Sequence, residues 1–145
     1  MTTKRESLII ALLQKIETLA SDMVKVYRNL DKPLKIPAGG VIILRDNEVA
    51  KEVDVLLNPL TYIYELSVQL EVMAQHHDSG KRYHLVDALL LEIGEIIHKN
   101  RSLGGLVEYL EAKPPEFQEE PVDGAATIRS IIVPVILRFS ASDPF

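Results

Sequence analysis

Residues 61–72 read Thr-Tyr-Ile-Tyr-Glu-Leu-Ser-Val-Gln-Leu-Glu-Val, and this stretch decides the fold. Apolar and aromatic side chains occupy every second position and would share one side of an extended chain, whereas polar side chains occupy the other. The apolar set is Tyr62, Tyr64, Leu66, Val68, Leu70 and Val72, and the polar set is Glu65, Ser67, Gln69 and Glu71. A strand with one wet face is typical of antiparallel sheets. The stretch therefore predicts a long, half-buried central strand.

Length and composition exclude several classes of protein. The chain of 145 residues is long enough for one domain with a real core. It has no cysteine, which excludes disulfides, thiolate nucleophiles and cysteine-ligated metals. Sixteen basic against twenty-one acidic residues leave a net charge of −5, so we expect no chain-wide attraction to nucleic acid or to an anionic membrane. Without a membrane-spanning run or a signal-peptide core, we expect a soluble protein made in a cytoplasm.

Two other stretches show the period of amphipathic helices. Thr3 and Glu6 have the spacing of a capping box, and apolar residues then recur on one helical face, which predicts a helix over Lys4–Ser21. The second stretch, Lys81–Asn100, carries a broad apolar stripe opposite charged residues. The apolar face of this helix is suited to cover the sheet.

Shorter extended patterns complete the set of elements. Further strands are predicted over 23–28, 41–44, 106–111 and 127–139. Residues 48–59 form a poorly determined connection, with or without a short strand. Pro134 lacks a backbone donor, which favours an edge position or a bulge for the last strand. Residues 140–145 then leave the sheet as a C-terminal tail.

Residues 113–124 form an acidic, proline-rich segment. Pro114, Pro115 and Pro121 are combined with an excess of acidic residues over one lysine, which predicts a mobile loop without a regular element. The element order is then α-β-β-β-α-β-β in one domain of residues 1–145. The fold class that follows is α+β, with two amphipathic helices packed on one face of a mixed, mainly antiparallel sheet.

Candidate chemistry is sparse in this sequence. His76, His77 and His84, with Asp78 as a possible carboxylate, are the best metal candidates, but their spacing matches no zinc motif. A polar turn between strand and helix is the simpler interpretation. We therefore predict no metal, no cofactor and no enzyme; a small cytoplasmic enzyme with a His76/His77 metal site is the less favoured alternative.

Two further patterns could suggest catalysis or phosphate binding. Gly39-Gly40 and Gly104-Gly105 are not followed by the helix that would hold a phosphate. Glu65 and Glu71 share the wet face of the central strand and could serve acid–base chemistry. No second constellation supports them, so solvated or interface-facing residues are the better interpretation.

The remaining features are typical of a subunit of an assembly. The long polar-faced strand, the acidic loop, the edge-like last strand and Phe145 are surfaces suited to self-association rather than a pocket. Head-to-tail contacts between such surfaces are commonly closed into rings. A monomeric domain with ordinary loops is the alternative.

The sequence also resembles a known family along nearly its whole length. The residues that carry the resemblance are Arg5, Ala11, Leu12 and Leu13, then Val26-Tyr27-Arg28-Asn29, the stretch Pro37 to Asp46, Leu103-Gly104-Gly105-Leu106-Val107, and Arg138-Phe139 with Asp143-Pro144-Phe145. In these it is similar to the tail terminator, or tail completion, proteins of long-tailed phages, the minor tail protein U-like family. None of these motifs is a catalytic signature.

The resemblance implies a structural role in a virion, prophage or phage-like particle. Proteins of that family form hexameric rings that stop growth of the tail tube and join tail to head. The implied partners are further copies of this chain, the tail tube protein and a head-completion or connector protein. DNA would pass through the ring without sequence readout, and no membrane is involved. The chain would be assembled in the host bacterial cytoplasm and end in the virion, at the head–tail junction.

Seven residues are candidates for subunit contacts. Arg28 and Asn29 follow from the family-like position at the end of the first strand. The acidic loop would line a lumen and repel phosphates, or face outward towards a basic neighbour. The full candidate set is Arg28, Asn29, Glu116, Glu119, Glu120, Asp123 and Phe145. A head–tail connector or neck adaptor subunit is the rival function.

Overall fold

The computed structural model describes residues 1–31, 35–121, 125–143 and 145. Two α-helices and seven strands occur in this part of the chain, with one short 3₁₀ turn at Leu103–Gly105. In chain order the elements are α1 (Lys4–Glu17), β1 (Val24–Arg28), β2 (Gly40–Arg45), β3 (Lys51–Leu56), β4 (Thr61–Gln75), α2 (Ser79–Lys99), β5 (Tyr109–Ala112), β6 (Glu116–Glu120) and β7 (Ile128–Ala141). The predicted α+β class is confirmed.

Two long antiparallel strands form the middle of the sheet. β4 and β7 pair from Tyr62 opposite Ala141 to Gln75 opposite Ile128. Along the outer side of β4 lie β3 and then β2, and along the outer side of β7 lie β5 and then β6. β1 pairs in parallel with β2 and borders the sheet there. The sheet is therefore mixed but mainly antiparallel, as predicted.

The alternation of residues 61–72 translates directly into burial. One face of β4 is buried and packs beneath both helices, whereas Glu65, Ser67, Gln69 and Glu71 are half-buried on the other. α1 contributes Leu8, Ile9, Leu12 and Ile16 to this core, and α2 contributes Val86, Leu89, Ile93 and Ile97. Both helices lie on one face because only that face offers a continuous apolar surface. The predicted central strand is confirmed and continues to Gln75.

A second, small apolar cluster lies on the opposite face of the sheet. It consists of Val41, Ile43 and Met73, with Leu30, Ile36 and Ile128 packed against them. β2 has apolar residues on both faces, and Leu30 and Ile36 pack against the face that the helices leave open. This explains why β2 is one compact apolar run in sequence.

The first helix is shorter than predicted. Thr3 caps it as expected, since its Oγ1 accepts a hydrogen bond of 3.2 Å from the Glu6 amide, but α1 ends at Glu17 rather than Ser21. The chain then turns sharply, with the Ser21 amide donating to the Val24 carbonyl at 2.9 Å. Met23, just before β1, is 54% exposed.

The prediction that residues 113–124 contain no regular element is wrong for residues 116–120. β6 pairs antiparallel with β7, with Phe117 opposite Ile131. The prolines do not prevent this strand because Pro114, Pro115 and Pro121 lie outside it. Residues 122–124 lie outside the described part of the chain, and the mobility of the segment stays a prediction.

The last strand is a central strand, so its predicted edge position is wrong. Pro134 is tolerated there because of a gap between two neighbours: β5 ends opposite Val135, and β6 begins opposite Ile132. The Pro134 carbonyl accepts a hydrogen bond of 2.8 Å from the Lys113 amide on that side. Since the nitrogen and carbonyl of one residue point to the same side of an antiparallel strand, the missing donor faces the break between β5 and β6.

Candidate assembly surfaces

Arg28 lies at the centre of a network inside the chain. Its guanidinium donates two hydrogen bonds to the Glu6 carboxylate, at 2.6 and 2.8 Å, and further hydrogen bonds to Asp46. Asn29 donates to the other Asp46 oxygen at 2.5 Å, and its own side-chain oxygen accepts from the Asp46 amide at 3.2 Å. Arg5 donates to the Asp46 carbonyl. The network joins the start of α1 to the ends of β1 and β2.

This network gives Arg28 and Asn29 a structural role. Asp46 is only 7% exposed, and Arg28 is the cation that compensates its buried charge. Asn29 has a positive φ of 53°, which asparagine tolerates better than most residues, and it closes β1 with an amide hydrogen bond to the Leu44 carbonyl. Contact of these two residues with a neighbouring subunit stays a prediction.

The network also shifts the titration of its acids. Hydrogen bonds from Arg28 hold the pKa of Glu6 below its usual value. Burial alone would raise the pKa of Asp46, but the hydrogen bonds from Asn29 and Arg28 outweigh it, and the pKa is lowered. The Glu6 carboxylate raises the pKa of Arg28, which stays charged.

We expect the protein to lose stability in acid through these two carboxylates. Their pKa values are lowered by folding, so their contribution is complete above the usual values of 4.5 for Glu6 and 3.8 for Asp46, and it is lost as the pH falls through the folded-state values. The measurement is thermal unfolding between pH 7 and pH 2.5. A Glu6→Gln variant should be less stable at pH 7 and lose less on acidification; an unchanged pH dependence would contradict the assignment.

The histidines do not converge on a metal site. His76 Nδ1 accepts a hydrogen bond of 2.9 Å from the Asp78 amide, and Asp78 caps α2 by accepting from the Gly80 amide at 3.0 Å. His77 is exposed in the same turn, and His84 lies one turn into α2. In the described ranges, no group of three histidine or acidic side chains is placed to hold a metal. The turn is explained by helix capping.

The carboxylates on the wet face of β4 are held by arginines of neighbouring strands. Glu71 contacts Arg45 at 2.7 Å, and Glu65 lies opposite Arg138, at 3.5 Å. The two carboxylates are six residues apart on one strand, or roughly 20 Å. That separation is about twice the distance at which paired carboxylates act on one bond. Acid–base catalysis by this pair is therefore not supported.

The acidic candidates of the 113–124 segment divide into three cases. Glu119 is held within the chain by Arg129 at 3.3 Å. Glu116 is exposed, and Glu120 is the last residue of β6. Asp123 lies outside the described residues. The predicted lumen or neighbour contact of these acids stays a prediction.

An aromatic and basic cluster accompanies β6. The Arg129 guanidinium lies 4.4 Å from the ring centre of Tyr83 and 4.8 Å from that of Phe117, which is 51% exposed. Stacking of this kind fixes the arginine against both α2 and β6. Sequence periodicity could not find the cluster because its members come from three elements.

Phe145 is 69% exposed and stays a candidate for contact with a partner. It borders a surface depression together with Thr2, Thr3 and residues 140–143. The two chain ends are therefore neighbours on one side of the molecule, in the part that the structure describes.

The surface that the sequence did not reveal is β3 together with the turn that leads into β4. All six residues of β3 are exposed, so both of its faces meet solvent. We call residues 49–60 the β3–β4 arm. Its exposed apolar side chains are Val49, Val53, Val55, Leu56, Leu57 and Leu60. Exposed apolar side chains concentrated in one segment make it a candidate for contact with another protein.

The likeness of this chain to known proteins lies in its fold. No protein-family model matches the sequence, and no curated protein matches it. Among solved structures, the chain is similar to a chain of the "virion of native gene transfer agent (GTA) particle". That likeness has a TM-score of 0.50, covers 92% of this chain and 95% of the other, and has 14% sequence identity. At this identity the likeness concerns the fold. None of the helices in the described ranges is both long and apolar enough to cross a membrane.

Proposed function

We propose that this chain is a non-enzymatic structural subunit of a phage or phage-like particle, in which it forms a ring that ends the tail tube and joins tail to head. The observation that carries the proposal is the fold likeness to a chain of a gene transfer agent virion, because it extends over almost the full length of both chains. The sequence resemblance to phage tail terminators also runs over nearly the whole chain. It is the reason for proposing a position at the end of the tail rather than elsewhere in the virion.

The surfaces of the molecule support assembly rather than catalysis. The β3–β4 arm exposes six large apolar side chains, and β3 borders the sheet, with β4 as its one neighbouring strand in the described residues. The outer side of β1 has no strand beside it in the described part of the sheet. Free sheet edges and projecting hairpins are the elements through which subunits add to one another.

The proposal assigns three kinds of partner. Copies of this chain would form the ring, with six as the number that the family resemblance implies. One ring face would contact the last layer of the tail tube protein, and the other a head-completion or connector protein. DNA would pass through the centre without sequence readout, and acidic residues such as Glu116 would keep phosphates from adhering if they face that channel. The mature location would be the virion.

The rival function is a connector or neck adaptor on the head side. Both roles use a ring, so the partner decides between them: a terminator binds tail tubes, and an adaptor binds the head portal without affecting tube length. A metal enzyme using His76 and His77 has less support, since His76 Nδ1 already accepts a backbone hydrogen bond.

We expect the purified protein to stop polymerisation of the tail tube protein from the same particle. The measurement is negative-stain microscopy of tubes grown with and without the chain, with tube lengths counted. A ring at one tube end and shorter tubes in proportion to the added chain are the expected results. Tubes of unchanged length without a terminal ring would contradict the role. A ring found on heads alone would favour the adaptor.

A further inference from the structure

The β3–β4 arm combines apolar surface with acidic charge. Leu57 at its turn is 78% exposed, and Leu56 and Leu60 beside it are 52% and 49% exposed. Glu52 and Asp54 are exposed on β3, with Lys51 as the one base of that strand. The arm therefore consists of an apolar turn and a strand, β3, whose charged side chains sum to a net negative charge.

A groove along β1 has the opposite character. We call it the β1 groove, and it is formed by β1, the turn before it, and Lys35, Pro37 and Ala38. Its apolar lining residues are Met23, Tyr27, Pro37 and Ala38, and its charged residues are Lys25 and Lys35 with Asp22. Met23 is 54% exposed and Tyr27 is 37% exposed. The groove thus combines apolar lining residues with a net positive charge. Its charge is opposite to that of the arm, and both surfaces are partly apolar.

The arm and the groove of one molecule cannot meet. β3 pairs with β4 at the Thr61 end, with Leu56 opposite Thr61. β1 lies beside β2 at the other end, where Lys25 pairs with Val41 and Val41 with Met73. Thr61 and Met73 are twelve residues apart along β4, or roughly 40 Å, so the turn of the arm and the groove lie at opposite ends of this strand. Contact between arm and groove therefore requires two molecules.

We propose that the β3–β4 arm of one copy docks in the β1 groove of the next copy. Donor and acceptor are different surfaces of the same chain, so the contact is head-to-tail and leaves one free arm and one free groove at each step. Such a contact closes into a ring when the rotation between copies allows it. The inference deepens the proposed function and rests on its self-assembly. Apolar residues at the arm tip supply most of the contact, and the charges set its register.

The absence of cysteine permits a direct test by disulfide trapping. A tagged Leu57→Cys chain and an untagged Tyr27→Cys chain are mixed under mild oxidation, and mixed dimers are quantified on non-reducing gels. Leu91→Cys, at a 67% exposed position of α2, replaces Leu57→Cys in the control. We expect the arm–groove pair to give about tenfold more mixed dimer than the control, because a docked contact holds two thiols together. Equal yields would overturn the proposal.

Charge reversal supplies a second, independent test. Lys25→Glu with Lys35→Glu makes the groove acidic, and Glu52→Lys with Asp54→Lys makes the arm basic. Each variant alone should lose about tenfold in arm–groove trapping because like charges then face one another. An equimolar mixture of the two should recover the yield, since a basic arm again meets an acidic groove. The matched control, Glu92→Lys with Glu95→Lys on the exposed side of α2, should leave trapping unchanged.

The outcomes separate this contact from the proposed role. The contact is overturned if the charge-reversed variants keep the native circular dichroism spectrum but their mixture gives as little trapped dimer as each variant alone. This holds even if the natural chain stops tube growth. Trapping of the Leu57→Cys arm by a tail tube subunit instead of by the groove would also overturn it. Conversely, efficient trapping together with unregulated tubes would leave the contact in place and reject the tail role.

Discussion

Replacing Arg28 with glutamate is expected to lower the free energy of unfolding by about 3 kcal/mol. The substitution removes the cation that Glu6 and Asp46 share and places a third carboxylate between them. Asp46 would keep its hydrogen bond from Asn29 but lose its ion-pair partner, and removing one partner is the costly case for a buried ion pair. The measurement is chemical denaturation followed by circular dichroism at pH 7.

Two variants control for the Arg28 result. Lys25→Glu makes the same change of charge at an exposed position of the same strand and should cost less than about 0.5 kcal/mol. Combining Arg28→Glu with Glu6→Arg restores one opposite-charge pair and should recover part of the stability. Equal losses for Arg28→Glu and Lys25→Glu would show that the network contributes nothing. A loss of assembly in a stable Arg28 variant would instead indicate a subunit contact.

Replacing Gly40 with alanine should cost about 2–4 kcal/mol. Gly40 has a φ of +108°, which residues with a Cβ rarely adopt. An added Cβ would also lie 2.9 Å from the Met73 carbonyl oxygen and 2.9 Å from Leu89 Cδ1. The backbone of β4 cannot retreat without disturbing the central pair of strands. Thermal and denaturant unfolding both measure the loss.

A second glycine provides the matched control. Gly94 lies inside α2, and a Cβ added there would meet nothing within 4 Å. Alanine should therefore raise the stability by about 0.5–1 kcal/mol, since glycine weakens a helix interior. Opposite signs for Gly40→Ala and Gly94→Ala are the expected pattern. Similar effects at both positions would show that the close approach at Gly40 is relieved by small movements.

Much of the fold could be predicted because its main elements are long and periodic. The alternation in residues 61–72 predicted a half-buried strand, and the stripe over residues 81–100 predicted α2, which extends from Ser79 to Lys99. Periodicity works here because each element buries one continuous face in a single core. Close packing against Met73 and Leu89 and a positive φ account for Gly40, which the sequence pattern did not explain.

The errors arise where tertiary pairing overrides local pattern. β6 has too few residues and too much charge to resemble a strand, yet β7 offers it a free side. Pro134 led to the prediction of an edge strand, because no sequence pattern reveals the gap between β5 and β6 that accommodates it. The β3–β4 arm was missed since apolar residues are ordinarily assigned to a core. The Arg28 network joins positions 22 and 18 residues apart, which no local spacing could reveal.

The position of β7 has a consequence for biosynthesis. The strand that fills the middle of the sheet is synthesised after the six strands and two helices that surround it. Until residues 128–141 have been synthesised, one edge of β4 lacks its longest hydrogen-bonded neighbour, and β5 and β6 have no strand to pair with. Native structure should therefore form late and in one step, once β7 is available to pair, and shorter nascent chains should depend on chaperones to keep them from aggregating.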